Sequence, residues 1–110
     1  MTHVEVFKKN NHIYKVVCDG HTNYGVAGED IVCASLSSIV QTAVLGLMCV
    51  VSADVDLDRD EERGFLSMTI VEELSGDRLL QADAILDTML CGISDLYNGF
   101  SDFIDLEVKS

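Results

Sequence analysis

Residues 31–51, IVCASLSSIVQTAVLGLMCVV, form a long apolar segment around which the rest of the chain is organised. Its apolar side chains recur three and four positions apart, which predicts one long helix from Ile31 to about Val51. The predicted buried stripe is Leu36, Ile39, Val40, Ala43, Val44, Leu47, Met48 and Val51. Leu45, Cys49 and Val50 make the far side apolar as well, so we expect the helix to pack against more than one surface, such as a sheet and a second helix or subunit.

A cysteine lies where this helix begins, and a histidine lies at the start of the preceding loop. Asp30 is a suitable N-cap, which makes Cys33 about the third helical residue. First-turn amides lack intrahelical acceptors, and the peptide dipoles leave about half a positive charge there, so a thiolate is stabilised at this point. Residues 20–30 contain three glycines and no apolar periodicity, which predicts a loop carrying His21.

Strands are predicted on both sides of the long helix, and a second helix precedes the last of them. Alternating apolar residues and turn residues predict two hairpins, one before the long helix and one after it. The predicted segments are Val4–Val6 and Ile13–Cys18 around the turn Asn10-Asn11, Val55–Leu57 and Phe65–Val71, a helix from Ser75-Gly76-Asp77 to Asn98-Gly99, and a last strand Phe103–Val108. The order β-β-α-β-β-α-β predicts an α+β fold, a mostly antiparallel sheet with two packed helices, and residues 1–110 as a single domain.

The composition restricts the classes of partner. The chain has 7 basic and 19 acidic residues and a formal net charge of −12. This charge repels phosphate backbones and anionic lipids and favours a basic partner, so we expect no nucleic acid and no membrane partner. The N-terminal residues lack the basic and apolar regions of a targeting segment, which predicts a cytoplasmic protein. In that compartment the four cysteines are expected as free thiols, with Cys49 and Cys91 in the core.

Cys33 and His21 are the candidate catalytic pair. A cysteine protease needs a thiolate, an imidazole within hydrogen-bond reach and donors for the developing oxyanion. Cys33 and His21 supply the first two if the loop folds back, and amides of the first helical turn supply the third. The structural alternatives are a buried thiol that packs like alanine and a loop histidine exposed to solvent.

The neighbouring polar residues allow two interpretations each. Asp30 either caps the helix or orients His21 as the third member of a triad. Ser37, one turn after Cys33, either bonds back to its own helix or contacts substrate. Cys18, His21 and Cys33 resemble a zinc site only weakly because a fourth ligand in a paired short spacing is missing, so we expect no metal and no cofactor.

The residues around this pair resemble the signature of the bacterial ribosomal-processing cysteine protease family. The matching positions are Asp19-Gly20-His21, then Gly28-Glu29-Asp30-Ile31-Val32-Cys33-Ala34, then Ser37. The resemblance implies that Cys33 is the nucleophile and His21 the base, with Gly20, Asp30 and Ser37 at supporting or substrate-binding positions. It also implies a homodimer that removes a short N-terminal extension from a basic large-subunit ribosomal protein, bL27, during ribosome assembly.

Two other functions remain open from the sequence. The acidic surface is also compatible with a non-catalytic dimeric module that binds basic ribosomal proteins, with Cys33 inert. A thiol redox sensor is the third possibility, but the sequence shows no obvious resolving cysteine for it. The acidic run from Asp54 to Glu62 lacks the spacing of a calcium loop and is expected to be a solvated strand face.

Overall fold

The computed structural model describes residues 1–20 and 29–110, apart from the side chains of residues 29 and 30. The predicted loop at 20–30 therefore lies, beyond Gly20, mostly outside the described residues. The elements are β1 Thr2–Lys9, β2 His12–Asp19, α1 Glu29–Gly46 continued by a π-helical turn Leu47–Val51, β3 Val55–Asp60, β4 Phe65–Ile70, α2 Gly76–Gly99 and β5 Ile104–Lys109. Their order confirms the predicted α+β fold.

The five strands form one mixed sheet in the order β3-β4-β2-β1-β5. Three of the four strand pairs are antiparallel, and β5 lies parallel to β1. Asn10 and Asn11 both adopt positive φ angles, 52° and 67°, as a tight hairpin turn between right-twisted strands requires. The predicted first hairpin is therefore confirmed, and β1 lies inside the sheet, between β2 and β5.

The long helix starts earlier than predicted. The described part of the helix starts at Glu29, so Asp30 already lies inside the helix and the prediction of Asp30 as the N-cap is wrong. Acidic residues are favoured throughout the first helical turn because their negative charge is attracted to the positive end of the helix dipole. The helix therefore includes both Glu29 and Asp30. The helix ends close to the predicted residue, after a π-helical turn, where Ser52 turns left-handed with φ 56°.

Both helices contribute to one core. The buried side chains alternate along β1 and recur on one face of each helix, as the apolar pattern predicted for most positions. The helical members are Val32, Leu36, Val40, Ala43, Val44, Leu47 and Val51 from the first helix and Ala82, Leu86, Met89 and Ile93 from α2. Ile39 is only half-buried, and the prediction of a buried Met48 is wrong, since Met48 is 54% exposed. Met48 lies in the π-helical turn, where the rotation per residue differs from that of the α-helix for which the stripe was predicted. The acidic strand β3 has five exposed residues and one half-buried residue, so the predicted solvated face is confirmed.

Two cysteines are not in the core where they were expected. Cys49 and Cys91 are both exposed, so that prediction is wrong. Their neighbours in sequence are apolar, but a helix turns about 100° per residue, and these two positions face away from the sheet. Residues 31–51 as a whole are long and apolar enough to cross a bilayer, a criterion that core helices of water-soluble proteins also meet, and a third of them are buried in this fold.

Candidate active site

A cleft of about 340 Å³ opens where the start of β1, the end of β2, the first turns of α1 and the β3–β4 turn meet. Its lining includes Thr2, Gly20, Cys33, Ser37 and Arg59. Three of the predicted site residues, Gly20, Cys33 and Ser37, are therefore brought together. His21 and the side chain of Asp30, the other two, lie outside the described residues.

Cys33 is half-buried, and its sulfur has a specific polar neighbour. The Sγ atom lies 3.4 Å from the hydroxyl oxygen of Thr2, a residue that is only 3% exposed. That hydroxyl donates a 2.8 Å hydrogen bond to the carbonyl oxygen of Gly20, the residue that precedes His21. The Cys33 sulfur is therefore linked through one threonine to the backbone that leads into the predicted base.

The position of Cys33 in its helix differs from the prediction. Because Glu29 is already helical, Cys33 has at least four helical residues before it and is not the third residue of the helix. In a regular helix its amide donates to the carbonyl four residues earlier, so it is not among the free amides of the first turn. The dipole effect also falls off within that turn. The helix end therefore acts on this sulfur less directly than predicted.

Gly20 has a conformation that requires glycine. Its φ angle is +101°, and a Cβ atom there would lie 2.8 Å from the carbonyl oxygen of Met1. Its amide donates to the carbonyl oxygen of Gly64 in the β3–β4 turn at 3.0 Å. Gly20 thus fixes the end of β2 against both the chain start and the neighbouring turn, directly before His21.

Cys18 lies in the same cleft but in different surroundings. It is buried in β2, and burial raises the pKa of the Cys18 thiol to about 12, with a further contribution from the nearby Cys33 sulfur. At neutral pH a thiol with such a pKa is ionised in only about one molecule in a hundred thousand. Cys18 is therefore a packing residue with an inert thiol.

A chain of polar side chains lies along the cleft from α1 to β3. The Gln41 amide donates to the Ser37 hydroxyl oxygen at 2.6 Å, and the Arg59 guanidinium donates to the Gln41 carbonyl oxygen at 3.3 Å. Arg59 also donates to the Glu61 carboxylate at 2.5 Å. The recorded partner of Ser37 is thus a side chain one turn further along, rather than the helix backbone. Within the described part of the chain, no acceptor is found for the hydroxyl hydrogen of Ser37, which can therefore donate to a substrate.

Sequence reasoning missed two residues of this site. Thr2 carries a recognisable signal, since it shares the two-residue alternation of the buried Val4 and Val6 and is the one polar member of that series. Arg59 carries none, because an arginine within an acidic strand is typical of any solvated face. Its place beside Gln41 depends on how β3 packs next to the helix.

A half-buried thiol that opens on a cleft is the arrangement expected of a thiol-dependent enzyme. The chain belongs to the family of cysteine protease Prp, whose family model matches residues 1–105. The protein is therefore a cysteine protease, as the sequence motif indicated.

Similar proteins agree in sequence and in fold. The ribosomal processing cysteine protease Prp of Staphylococcus aureus strain Mu50 is 29% identical over 94 residues, which cover 86% of this chain and 85% of that protein. The Bacillus subtilis protein of the same name is 24% identical over 83 residues, or 76% and 74% of the two chains. A crystal structure of Prp from S. aureus with a substrate peptide superposes with a TM-score of 0.86 at 25% identity, covering 99% of this chain and 100% of that one.

A second structure of the S. aureus protease contains a covalently linked product peptide. It matches with a TM-score of 0.82 at 26% identity, again over 99% of this chain and 100% of that one. A covalent link to a peptide is the state expected of an enzyme that acts through a nucleophilic side chain.

Proposed function

We propose that this protease removes the N-terminal extension of the large-subunit ribosomal protein bL27, with Cys33 as nucleophile and His21 as general base. The observation that carries the proposal is the Cys33 sulfur, half-buried beside a cleft and held by a buried hydroxyl group. The substrate class is supported by the S. aureus and B. subtilis relatives, which are named ribosomal processing proteases.

The reaction follows from the chemistry of a thiol and an imidazole. His21 accepts the proton of Cys33, and the thiolate attacks the carbonyl carbon of the scissile bond. The resulting oxyanion collapses to an acyl-enzyme as the leaving amine takes the proton from His21. Water, activated by the same imidazole, then hydrolyses the thioester and restores the thiol.

Ser37 is suited to contact the substrate. Its oxygen accepts the Gln41 amide hydrogen, and Arg59 holds the Gln41 carbonyl, which orients that amide toward Ser37. The remaining hydroxyl hydrogen is then available to the cleft that Ser37 lines. We assign this group the role of donor to a peptide carbonyl or to the oxyanion, alongside free amides of the first helical turn.

The charge of the molecule suits a basic substrate. Besides Cys33, the cleft is lined by the acidic residues Asp60 and Glu61, and the adjoining strand β3 exposes Asp56 and Asp58. With a net charge of −12, this surface attracts a basic ribosomal protein and raises its encounter rate at low ionic strength.

Cleavage of a synthetic peptide that spans the extension and the start of the mature ribosomal protein tests the proposal. We expect wild type to cut the peptide once and Cys33→Ala and His21→Ala to lose cleavage. Cys33→Ser should bind the peptide without turnover, because a serine hydroxyl is a far weaker nucleophile than a thiolate. Cys91→Ala, which removes an exposed thiol outside the cleft, is the matched control and should keep full activity. Cleavage that survives Cys33→Ala would overturn the mechanism.

We also propose that the protease is a homodimer. Apolar side chains on the outer side of the long helix are exposed: Ile31 by 67%, Leu45 by 58%, Met48 by 54% and Val50 by 62%. An open apolar groove next to Val50 continues between this helix and α2. A second copy of the chain would remove this surface from water, as expected for a helix that is apolar on both sides.

A further inference from the structure

We propose that Thr2 positions the nucleophile: its hydroxyl accepts the S–H of Cys33 in the resting enzyme and donates its own hydrogen to the sulfur once the thiolate forms. The proposal rests on the proposed function of Cys33 as nucleophile. It adds a residue from the start of the chain to the machinery of the site, at a position outside the motif that indicated the family.

The resting arrangement follows from counting hydrogens. A threonine hydroxyl has one hydrogen, and here it is directed at the Gly20 carbonyl oxygen at 2.8 Å. Toward the Cys33 sulfur, 3.4 Å away, the same oxygen therefore presents a lone pair. The S–H group must be the donor, which gives a chain of hydrogen bonds from Cys33 through Thr2 to the Gly20 carbonyl.

Ionisation of the sulfur reverses one of these bonds. When the Cys33 proton moves to the base, the lone pair of Thr2 would face a negative charge. Rotation about the C–O bond turns the hydroxyl hydrogen toward the sulfur, and the Gly20 carbonyl releases it. No proton leaves Thr2, and the thiolate gains a charge-assisted hydrogen bond, which is stronger than the neutral bond from Thr2 to Gly20.

Among residues 1–20 and 29–110, the Thr2 hydroxyl has two partners, the Gly20 carbonyl oxygen and the Cys33 sulfur. Thr2 is 3% exposed, and its amide donates to the Phe103 carbonyl oxygen at 2.9 Å. A β-branched side chain is restricted in χ1, so its oxygen is held near the two partners it has. Leaving a buried hydroxyl without a hydrogen-bond partner costs free energy, so the Thr2 hydroxyl donates its hydrogen either to the Gly20 carbonyl or to the Cys33 sulfur. Ionisation of Cys33 changes which of the two accepts it.

Two substitutions in the full chain separate this role from a purely structural one. Thr2→Val keeps the shape and removes the hydroxyl, whereas Thr2→Ser keeps the hydroxyl. Thr69→Val is the matched control, because Thr69 lies in β4 between the buried Met68 and the half-buried Ile70 and faces the other side of the sheet. The readouts are kcat and KM for the peptide, and the pH profile of iodoacetamide alkylation at Cys33, followed by mass spectrometry.

For Thr2→Val we expect kcat to fall roughly tenfold, the typical effect of losing one hydrogen bond to a charged group, with KM within about twofold of wild type. The midpoint of the alkylation profile at Cys33 should move to higher pH. Thr2→Ser and Thr69→Val should match wild type in both measurements. An unchanged midpoint in Thr2→Val would overturn the proposal, as would an equal loss of kcat in Thr2→Val and Thr2→Ser.

A measurement on unsubstituted protein covers the case in which Thr2→Val does not fold. The S–H infrared band of Cys33, identified by its absence in Cys33→Ala, should lie at the frequency of a hydrogen-bonded thiol. A band at the frequency of a free thiol would overturn the resting arrangement. Neither this band nor the alkylation profile requires peptidase activity. If Cys33→Ala still cleaved peptide, the proposed function would fail, while these two measurements would still decide whether Thr2 binds the sulfur.

Discussion

Cys18 and Cys33 line the same cleft, and their surroundings give their thiols different roles. Cys18 projects from a central strand into the core and is only 5% exposed, and this burial disfavours a thiolate. Cys33 lies at the open side, beside the Thr2 hydroxyl. The redox-sensor hypothesis lacked a resolving cysteine, and Cys33 is near enough to contribute to the raised pKa of Cys18. Its pKa of about 12 nevertheless leaves almost no thiolate to attack an oxidised sulfur at neutral pH.

Alkylation and alkaline stability both test the state of Cys18. In native protein at neutral pH, iodoacetamide should label Cys33, Cys49 and Cys91 and leave Cys18 unmodified until the protein unfolds. The pKa of Cys18 in the folded protein lies above the ordinary thiol value of 9.0, so the unfolded chain binds fewer protons between pH 9 and pH 12. The free energy of unfolding should therefore fall there by about 1.4 kcal/mol per pH unit from this group.

Cys18→Ala is the variant that isolates this contribution. It should lose the part of the alkaline slope that Cys18 supplies, and Cys91→Ala should keep it. Denaturant unfolding at several pH values from 8 upward measures the slope. Equal slopes in wild type and Cys18→Ala, or rapid labelling of Cys18 in the native state, would contradict the assignment.

The two histidines of the first hairpin have partners that the sequence did not reveal. His12 lies 2.7 Å from the Asp83 carboxylate on α2, and His3 lies 3.1 Å from Asp105 on β5. Each pair joins residues more than 70 positions apart, so no local pattern could have indicated it.

At the scale of elements, the C-terminal end of the long helix is held by a side chain from α2. Arg78 donates to the carbonyl oxygens of Val51 and Ser52 at 3.1 and 2.9 Å. The Glu72 carboxylate binds Arg78 at 2.6 Å and accepts the amide hydrogen of Asp54 at 3.0 Å. A cation at this position satisfies carbonyl groups that the helix leaves without partners and opposes the negative end of its dipole.

Glu72→Gln should lower the melting temperature at neutral pH. The hydrogen bond from Arg78, followed by that from the Asp54 amide, holds the pKa of the Glu72 carboxyl below its usual value of 4.5. The carboxylate therefore stabilises the fold above that pH, and this contribution disappears as the pH falls through the lowered pKa.

Melting temperatures from pH 2 to pH 7 measure this effect. The difference between wild type and Glu72→Gln should be largest near neutrality and shrink at acid pH. Glu73→Gln, which changes the exposed neighbouring carboxylate, is the matched control and should have little effect. A difference that stays constant down to pH 2 would contradict the role of the Glu72 charge.

At the scale of the whole molecule, the long helix covers the sheet with one side and leaves apolar side chains on the other. If a second copy covers them, sedimentation should show a dimer at micromolar concentration. Leu45→Glu and Val50→Glu place a charge on this surface and should give a folded monomer. Leu57→Glu, on an exposed apolar residue of β3, is the matched control and should leave the dimer intact. A wild-type monomer, or dimers that survive both helix substitutions, would contradict the assembly.

Much of the fold could be predicted because its signals are local. Period-two alternation in β1 and β2, the two-asparagine turn and the helical stripes each depend on residues a few positions apart. The exact start of α1 and the outward direction of Cys49 and Cys91 were not predicted. They depend on which neighbouring residues the helix includes and on how the helix is rotated against the sheet.

The sequence by itself determined the element order, the buried face of each helix, the acidic character and the motif that combines Gly20, His21, Cys33 and Ser37. Only the tertiary structure placed Thr2 beside the Cys33 sulfur, Arg59 beside Gln41 and Arg78 at the helix end. The physical reason is separation along the chain. Residues 18 to 31 positions apart meet only after strands pair and helices pack, so their contacts follow from the assembled sheet and not from any local pattern.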